Sequence, residues 1–161
     1  MMIRHCFAAL AILLAVASCS STEGGGTPRI SDADADEILT RQLDAVNAVR
    51  EGEGLTPLRY SAELNAAAET HARDMAVQGR AWHFGSDLTS PRERAFRAGY
   101  QAELGGENIA EGTDSDLAVL RSWLDFADTR EVIMDPEGRG FGFAWYQEES
   151  GKIWWVQLIG K

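Results

Sequence analysis

One carboxylate, Glu107, sits in the stretch LGGENIAEG (104–112), behind a Gly-Gly pair and ahead of an amide. The chain has 3 histidines, and one of them, His83, directly follows Trp82. A carboxylate and an imidazole of this kind could form a general base with its orienting acid, two ligands of a metal, or a structural clamp. An ionised carboxylate only accepts hydrogen bonds. As a clamp, Glu107 is expected to tie down backbone N–H groups in its own turn and to partner His83, because an enclosed carboxylate needs such donors merely to be tolerated. His71 falls on an apolar helix face and reads as a satisfied core histidine; that face leaves open a metal site with His83 and Glu107, which nothing in the spacing supports. Glu111 could complete a glycosidase-like pair with Glu107, but so close along one turn it reads as solvated. The chain carries no G-x-S-x-G nucleophile elbow, no H-E-x-x-H zinc motif and no phosphate-binding glycine loop.

The elements that must position these residues are legible from periodicity. SDADADEILTRQLDAVNAVR has a capping Ser31 or Asp32, then Ile38, Leu39, Leu43, Val46 and Val49 at helical spacing, with Gly52 and Gly54 as the stop. A second helix is expected from Ser61 to Gly79, with Leu64, Ala67, Ala68, His71 and Met75 on one face. Ser90-Pro91-Arg92-Glu93 combines a cap, a proline at the first helical position and a capping-box Glu, predicting a short helix to about Ala98. A fourth opens at Asp114 or Ser115 and carries Leu117, Leu120, Trp123 and Leu124. GFGFAWYQ and KIWWVQLIG flank Glu148-Glu149-Ser150-Gly151, the pattern of a β-hairpin with a four-residue loop. Both faces of that hairpin are apolar, so Trp145, Trp154 and Trp155 read as core rather than as a stacking platform. A sheet apolar on both sides needs helices on both sides, which predicts an α+β fold built as a three-layer α-β-α sandwich.

Residues 1–18 read as a removable leader: MMIRHC is a basic start, and FAALAILLAVA is too short for a spanning helix. Val16-Ala17-Ser18-Cys19 resembles a bacterial lipobox, with cleavage before Cys19 and lipid on its thiol and amine. Residues 19–36, rich in Ser, Gly and Thr, form the anchor and a flexible linker, and residues 37–161 form one domain. The only other cysteine, Cys6, lies in the leader, so the domain has no internal disulfide and must stand on its core. Loss of Arg4 takes the formal charge from −10 to −11. That balance argues against nucleic acid, whose binding relies on Lys/Arg neutralisation, and against a polybasic membrane patch. Lipid on Cys19 is the expected membrane contact.

The order LNAAAETHARDMA, Trp82-His83, Gly106-Glu107-Asn108-Ile109-Ala110, Ser122-Trp123 and WWVQLIG resembles the CAP superfamily of cysteine-rich secretory, antigen-5 and pathogenesis-related proteins, in particular its bacterial secreted branch. The resemblance covers roughly residues 38–161. It implies the α-β-α sandwich and a cleft with two His and two acidic residues that holds a divalent metal in some members. Carried over, the first His is His83 and the G-E-N acid is Glu107. The family's E-G-H-R-like segment corresponds to Phe126-Ala127-Asp128-Thr129-Arg130. Arg130 matches, Thr129 stands at the His position, and Ala127 stands at the acid position with Asp128 as a displaced substitute. The cleft implied by the resemblance is therefore His83, Glu107, Asp128, Thr129 and Arg130. His83 and Glu107 remain as two ligands for zinc, one short of a catalytic-style site.

These readings describe an exported, lipid-anchored envelope protein, on the outer membrane facing the periplasm in a two-membrane bacterium, since Ser20 is not the aspartate associated with inner-membrane retention. The expected activity is non-catalytic binding of a small amphipathic or glycan-like envelope ligand near His83 and Glu107. Two alternatives stay open at this point. One is a metal-assisted hydrolase of peptide or peptidoglycan with His83 as base; the other is a structural module presenting its surface to an envelope protein.

Overall fold

The computed structural model describes residues 29–161, so the leader, Cys19 and most of the linker lie outside the described residues. The chain runs α1 (Asp32–Gly52), β1 (Arg59–Tyr60), α2 (Ala62–Gln78), α3 (Pro91–Arg97), β2 (Leu104–Glu111), α4 (Asp116–Asp125), α5 (Ala127–Ile133), β3 (Gly140–Gln147) and β4 (Ile153–Gly160). The caps are the ones the sequence signals. Ser61 Oγ accepts from the Leu64 N–H, Ser90 and Glu93 form the capping box of α3, and Ser115 Oγ accepts from the Ala118 N–H. Gly79 closes α2 with φ 68, a left-handed conformation that glycine adopts without a Cβ penalty.

The four strands lie in the order β1-β3-β4-β2, with β1 parallel to β3 and the other pairs antiparallel. The hairpin expected at the end of the chain is thus the centre of the sheet. Its connection is longer than four residues, running from Glu148 to Lys152. The Lys152 carbonyl still accepts from the Glu148 N–H at 2.8 Å, while its ammonium pairs with Glu111 at 2.7 Å and lies over the Trp154 ring.

A larger departure concerns LGGENIAEG itself. It is a strand, β2, and not a turn: Glu107 faces Leu158 and Asn108 faces Gln157 across the β2–β4 ladder. The glycines that suggest a turn instead allow close approach, since a side chain at Gly106 would collide with Val132 of α5. The two-residue β1 and the separate helix α5 also escape sequence reading. The first is too short to show alternation, and the second is split from α4 only by extended backbone at Phe126.

Successive strand residues point to opposite faces, and the two faces are covered separately. On one, Leu64, Ala68, Ala72 and Met75 of α2 and Ala95 of α3 pack on Ala144, Trp154, Val156 and Leu158. On the other, Ile38 and Val46 of α1, Val119 and Trp123 of α4 and Ile133 of α5 pack on Phe141, Phe143, Trp155 and Ile159. This is the three-layer α-β-α arrangement. Trp154 and Trp155 are fully enclosed, one on each face, which confirms them as core. Gly142 lets α2 cross the sheet closely, because a Cβ there would meet the Leu64 and Asn65 backbone.

Candidate functional site

Glu107 projects from β2 toward α2 and α3, on the same face as its ladder partner Leu158. Its side chain is 1% exposed. The Arg94 guanidinium, on α3, places Nη2 2.6 Å from Oε2, and the His83 ring, on the loop after α2, places Nδ1 2.9 Å from Oε1. An ionised carboxylate accepts, so the His83 proton is on Nδ1 and Nε2 carries the free lone pair. The His83 side chain is 52% exposed, which leaves the imidazole half in water above an enclosed ion pair. The clamp expectation needs correcting in its detail: Glu107 is held by side chains from α3 and from the loop after α2 rather than by backbone N–H groups of its own segment. On a strand the side chain stands off the sheet, here toward α2 and α3, while the N–H groups lie in the plane of the sheet and out of its reach.

His71 completes the cluster. It is fully buried on α2, its Nε2 donates to the Trp82 carbonyl at 2.9 Å, and the same nitrogen lies 3.8 Å from Glu107 Oε1. Burial pushes its pKa below the ordinary imidazole value, outweighing the attraction of Glu107. A neutral His71 thus gives Glu107 no full counter-charge, and Arg94 supplies it.

Arg94 also fixes the loop that carries His83. Its Nη1 donates to the His83 carbonyl at 3.0 Å and to the Thr89 carbonyl at 2.8 Å. The rest of the loop is tied to itself and to α2. Asp74 accepts from the Ser86 N–H at 2.7 Å, and the Trp82 indole donates to Gln78 at 2.6 Å under the Arg80 guanidinium. Asp87, held by Thr89 and Arg97, has its pKa lowered to about 2. Beside Arg94, between α2, α3 and this loop, lies an open groove of about 500 Å³ lined by Ala66, Ala67 and Ala98 together with Thr70, Asp74 and Arg97.

The structure does not bring the carried-over segment to this site. Asn108 follows Glu107 on the strand and therefore points to the other face, where its Nδ2 donates to the Thr129 carbonyl of α5 at 2.9 Å. Thr129 Oγ1 donates to the Trp123 carbonyl at 2.6 Å, ending α4. Arg130 reaches Glu53 at 3.3 Å, and Asp128 is exposed. α5, which carries Asp128, Thr129 and Arg130, packs on the face of the sheet opposite to Glu107 and is joined to the sheet through the Thr129 carbonyl. Glu111 is exposed and paired with Lys152, as a solvated carboxylate.

Among the described residues no group of three or more His, Cys, Asp or Glu is arranged to hold a metal ion. The donor chemistry around Glu107 does not fit zinc either. Oε2 already faces a guanidinium and Oε1 an imidazole N–H, so a divalent cation would have to displace one and repel the other. Sequence reading missed Arg94, whose segment shows only its capping signals; it took His71 as core and left its nearness to His83 and Glu107 open, and the structure places it beside Glu107.

Residues 43–159 match CAP, the cysteine-rich secretory protein family. The chain belongs to this family. The CAP domain is 30% identical over 119 residues to the uncharacterized protein YkwD of Bacillus subtilis (strain 168), an alignment spanning 74% of this chain and 46% of YkwD. The chain therefore spans less than half the length of that relative. Its fold is also that of an extracellular protein containing an SCP domain from Bacillus anthracis str. Ames (TM-score 0.71, 22% identity, 83% of this chain and 45% of that one). It matches as well an outer surface protein from Borrelia burgdorferi (TM-score 0.71, 18% identity, 84% of this chain and 98% of that one).

Proposed function

We propose that this CAP domain is exported, held at the cell envelope by lipid on Cys19, and binds a small amphipathic or glycan-like envelope ligand at the His83 cleft without turning it over. The observation that carries this reading is the half-exposed His83 ring, oriented by a fully enclosed Glu107–Arg94 pair so that Nε2 faces outward as a hydrogen-bond acceptor. A preorganised acceptor suits a ligand hydroxyl or ammonium. The adjoining groove, lined by three alanines together with Thr70, Asp74 and Arg97, suits a molecule with both apolar and polar parts. Its test is a titration of the soluble domain (residues 29–161) with muropeptides and with short-chain lysophospholipid, followed through the His83 ring resonances. Saturable shifts that His83→Ala weakens at least tenfold support the reading, and no saturation with either ligand class would sink it.

A second reading is favoured by the same pair. An imidazole whose Nδ1–H is held by a carboxylate and whose Nε2 is bare is the geometry of a general base, and a metal-free hydrolase of peptide or peptidoglycan would use it on water. Incubating the domain with purified peptidoglycan and analysing released fragments by mass spectrometry decides this. Release that disappears in His83→Ala favours hydrolysis over binding alone.

Anchoring rests on the V-A-S-C sequence after an apolar run, since two or more acyl chains make such attachment stable. Labelled palmitate should enter the wild-type protein and not Cys19→Ser, and equal incorporation would exclude the anchor.

A further inference from the structure

We infer that Arg94 is the resident cation of this cleft: its guanidinium takes the place beside Glu107 that a divalent ion would need, and it makes the His83–Glu107 pair a metal-independent unit. The inference does not depend on what the cleft binds. Glu107 is buried and requires a counter-charge. Of the three nitrogen groups around it, His71 is buried and driven toward its neutral form, and His83 stands half in solvent. Arg94, 7% exposed, is the cation that shares Glu107's burial. Its contacts are those of a built part rather than a passing neighbour. Nη2 bonds the carboxylate while Nη1 bonds the carbonyls of His83 and Thr89, so one planar group holds both the acid and the loop that carries the imidazole.

A divalent ion at Glu107 would meet a carboxylate whose charge Arg94 already balances. Its approach to Oε2 is filled by Nη2, and at Oε1 it would have to turn His83 away from the carboxylate. Displacing Arg94 would leave a buried guanidinium bonded only to carbonyls, and leaving it in place would set like charges side by side in an enclosed site. Arg94 is thus a positioning residue. It acts on the ligand through His83, by fixing which nitrogen carries the proton and where the free one points.

The test uses zinc and the histidine side-chain resonances of the soluble domain. In wild type, a tenfold molar excess of zinc should leave the His83 ring signals and the Nδ1–H bonded to Glu107 unmoved. Arg94→Gln removes the charge while keeping a hydrogen-bonding head. Zinc should then shift the His83 ring at a concentration at least tenfold lower than in wild type. Arg94→Lys, which restores the charge, should regain the wild-type resistance; a purely structural role for Arg94 would not separate Lys from Gln in this way. Three results overturn the inference: a wild-type His83 ring that shifts at equimolar zinc, an Arg94→Gln protein with the wild-type zinc midpoint, or an Arg94→Lys protein as zinc-sensitive as Arg94→Gln. If Arg94→Gln does not fold, wild type and Arg94→Lys decide: both His83 rings unmoved at tenfold zinc supports the inference, and a shift of either at equimolar zinc overturns it.

Discussion

Arg50 and Arg94 are both buried, and they serve opposite ends. Arg50, at the end of α1, gives all its bonds to backbone: the Thr56 carbonyl through Nε and Nη2, Ile133 and Asp135 through Nη1, and Gly138 through Nη2. It joins α1, the approach to β1, the C-terminal end of α5 and the turn into β3, and helix ends with bare carbonyls are where a cation is most welcome. Arg94 divides its bonds between two carbonyls and a carboxylate, and that carboxylate goes on to a side chain half in water. Burial alone therefore does not mark a functional arginine. What marks it is a chain of polar contacts that reaches solvent through a group able to exchange a proton.

The comparison can be broken first at Arg50. Arg50→Ala should cost more than about 4 kcal/mol, the extreme of single substitutions, because several charge-assisted bonds are lost and buried carbonyls are stranded. Urea melts would measure it, and any fraction that remains folded should keep wild-type His83 ring signals. Next comes Glu107→Gln, expected to destabilise by about 3 kcal/mol by leaving Arg94 buried without its counter-charge. If it melts like wild type yet loses envelope-ligand binding, the carboxylate is held at a cost for function and the pairing account is wrong.

A smaller effect belongs to His71. Its folded pKa lies below the ordinary value of about 6.5 because burial penalises the charged ring. As pH falls below that ordinary value, the unfolded chain takes up a proton that native His71 refuses, so stability falls with pH and levels off once the folded ring also protonates. Between pH 7 and 5 wild type should lose stability that His71→Gln does not. Denaturant midpoints of both proteins at the two pH values give the answer. Least of all, His83→Ala should change stability by less than about 1 kcal/mol, since its ring is half exposed and water can take its place at Glu107, while weakening ligand binding at least tenfold. A stability loss several times larger would place His83 with Arg50 among the structural residues.

How much of this could be read in advance follows from which signals are local. The helix caps at Ser61, Ser90 and Ser115 and the apolar faces of the hairpin are short-range patterns, and the structure keeps them. The pairing of His83 with Glu107 was also legible, through the order of motifs. Arg94 was not, because its partner is 13 residues away and an arginine on a short helix ordinarily faces water. The error over Asp128, Thr129 and Arg130 has a sharper cause. Residue matching along a motif carries no information about which face of a strand each position takes, and Glu107 and Asn108, neighbours in G-E-N, point to opposite layers.

The strand order also decides when the site comes into being. β1 meets its partner only at Gly140 and Phe141, and β2 only along Trp154–Gly160. On any route that delivers the polypeptide from its N-terminus, residues 59–60 and 104–111 wait as unpaired segments until the two central strands arrive behind them, and such distant pairings form slowly. A chain halted before Gly140 has the histidines, the arginine and the carboxylate but no surface on which to assemble them. Glu107 sits against Arg94 on a face that Leu158 shares, so the seat of the pair is complete only with β4 in place.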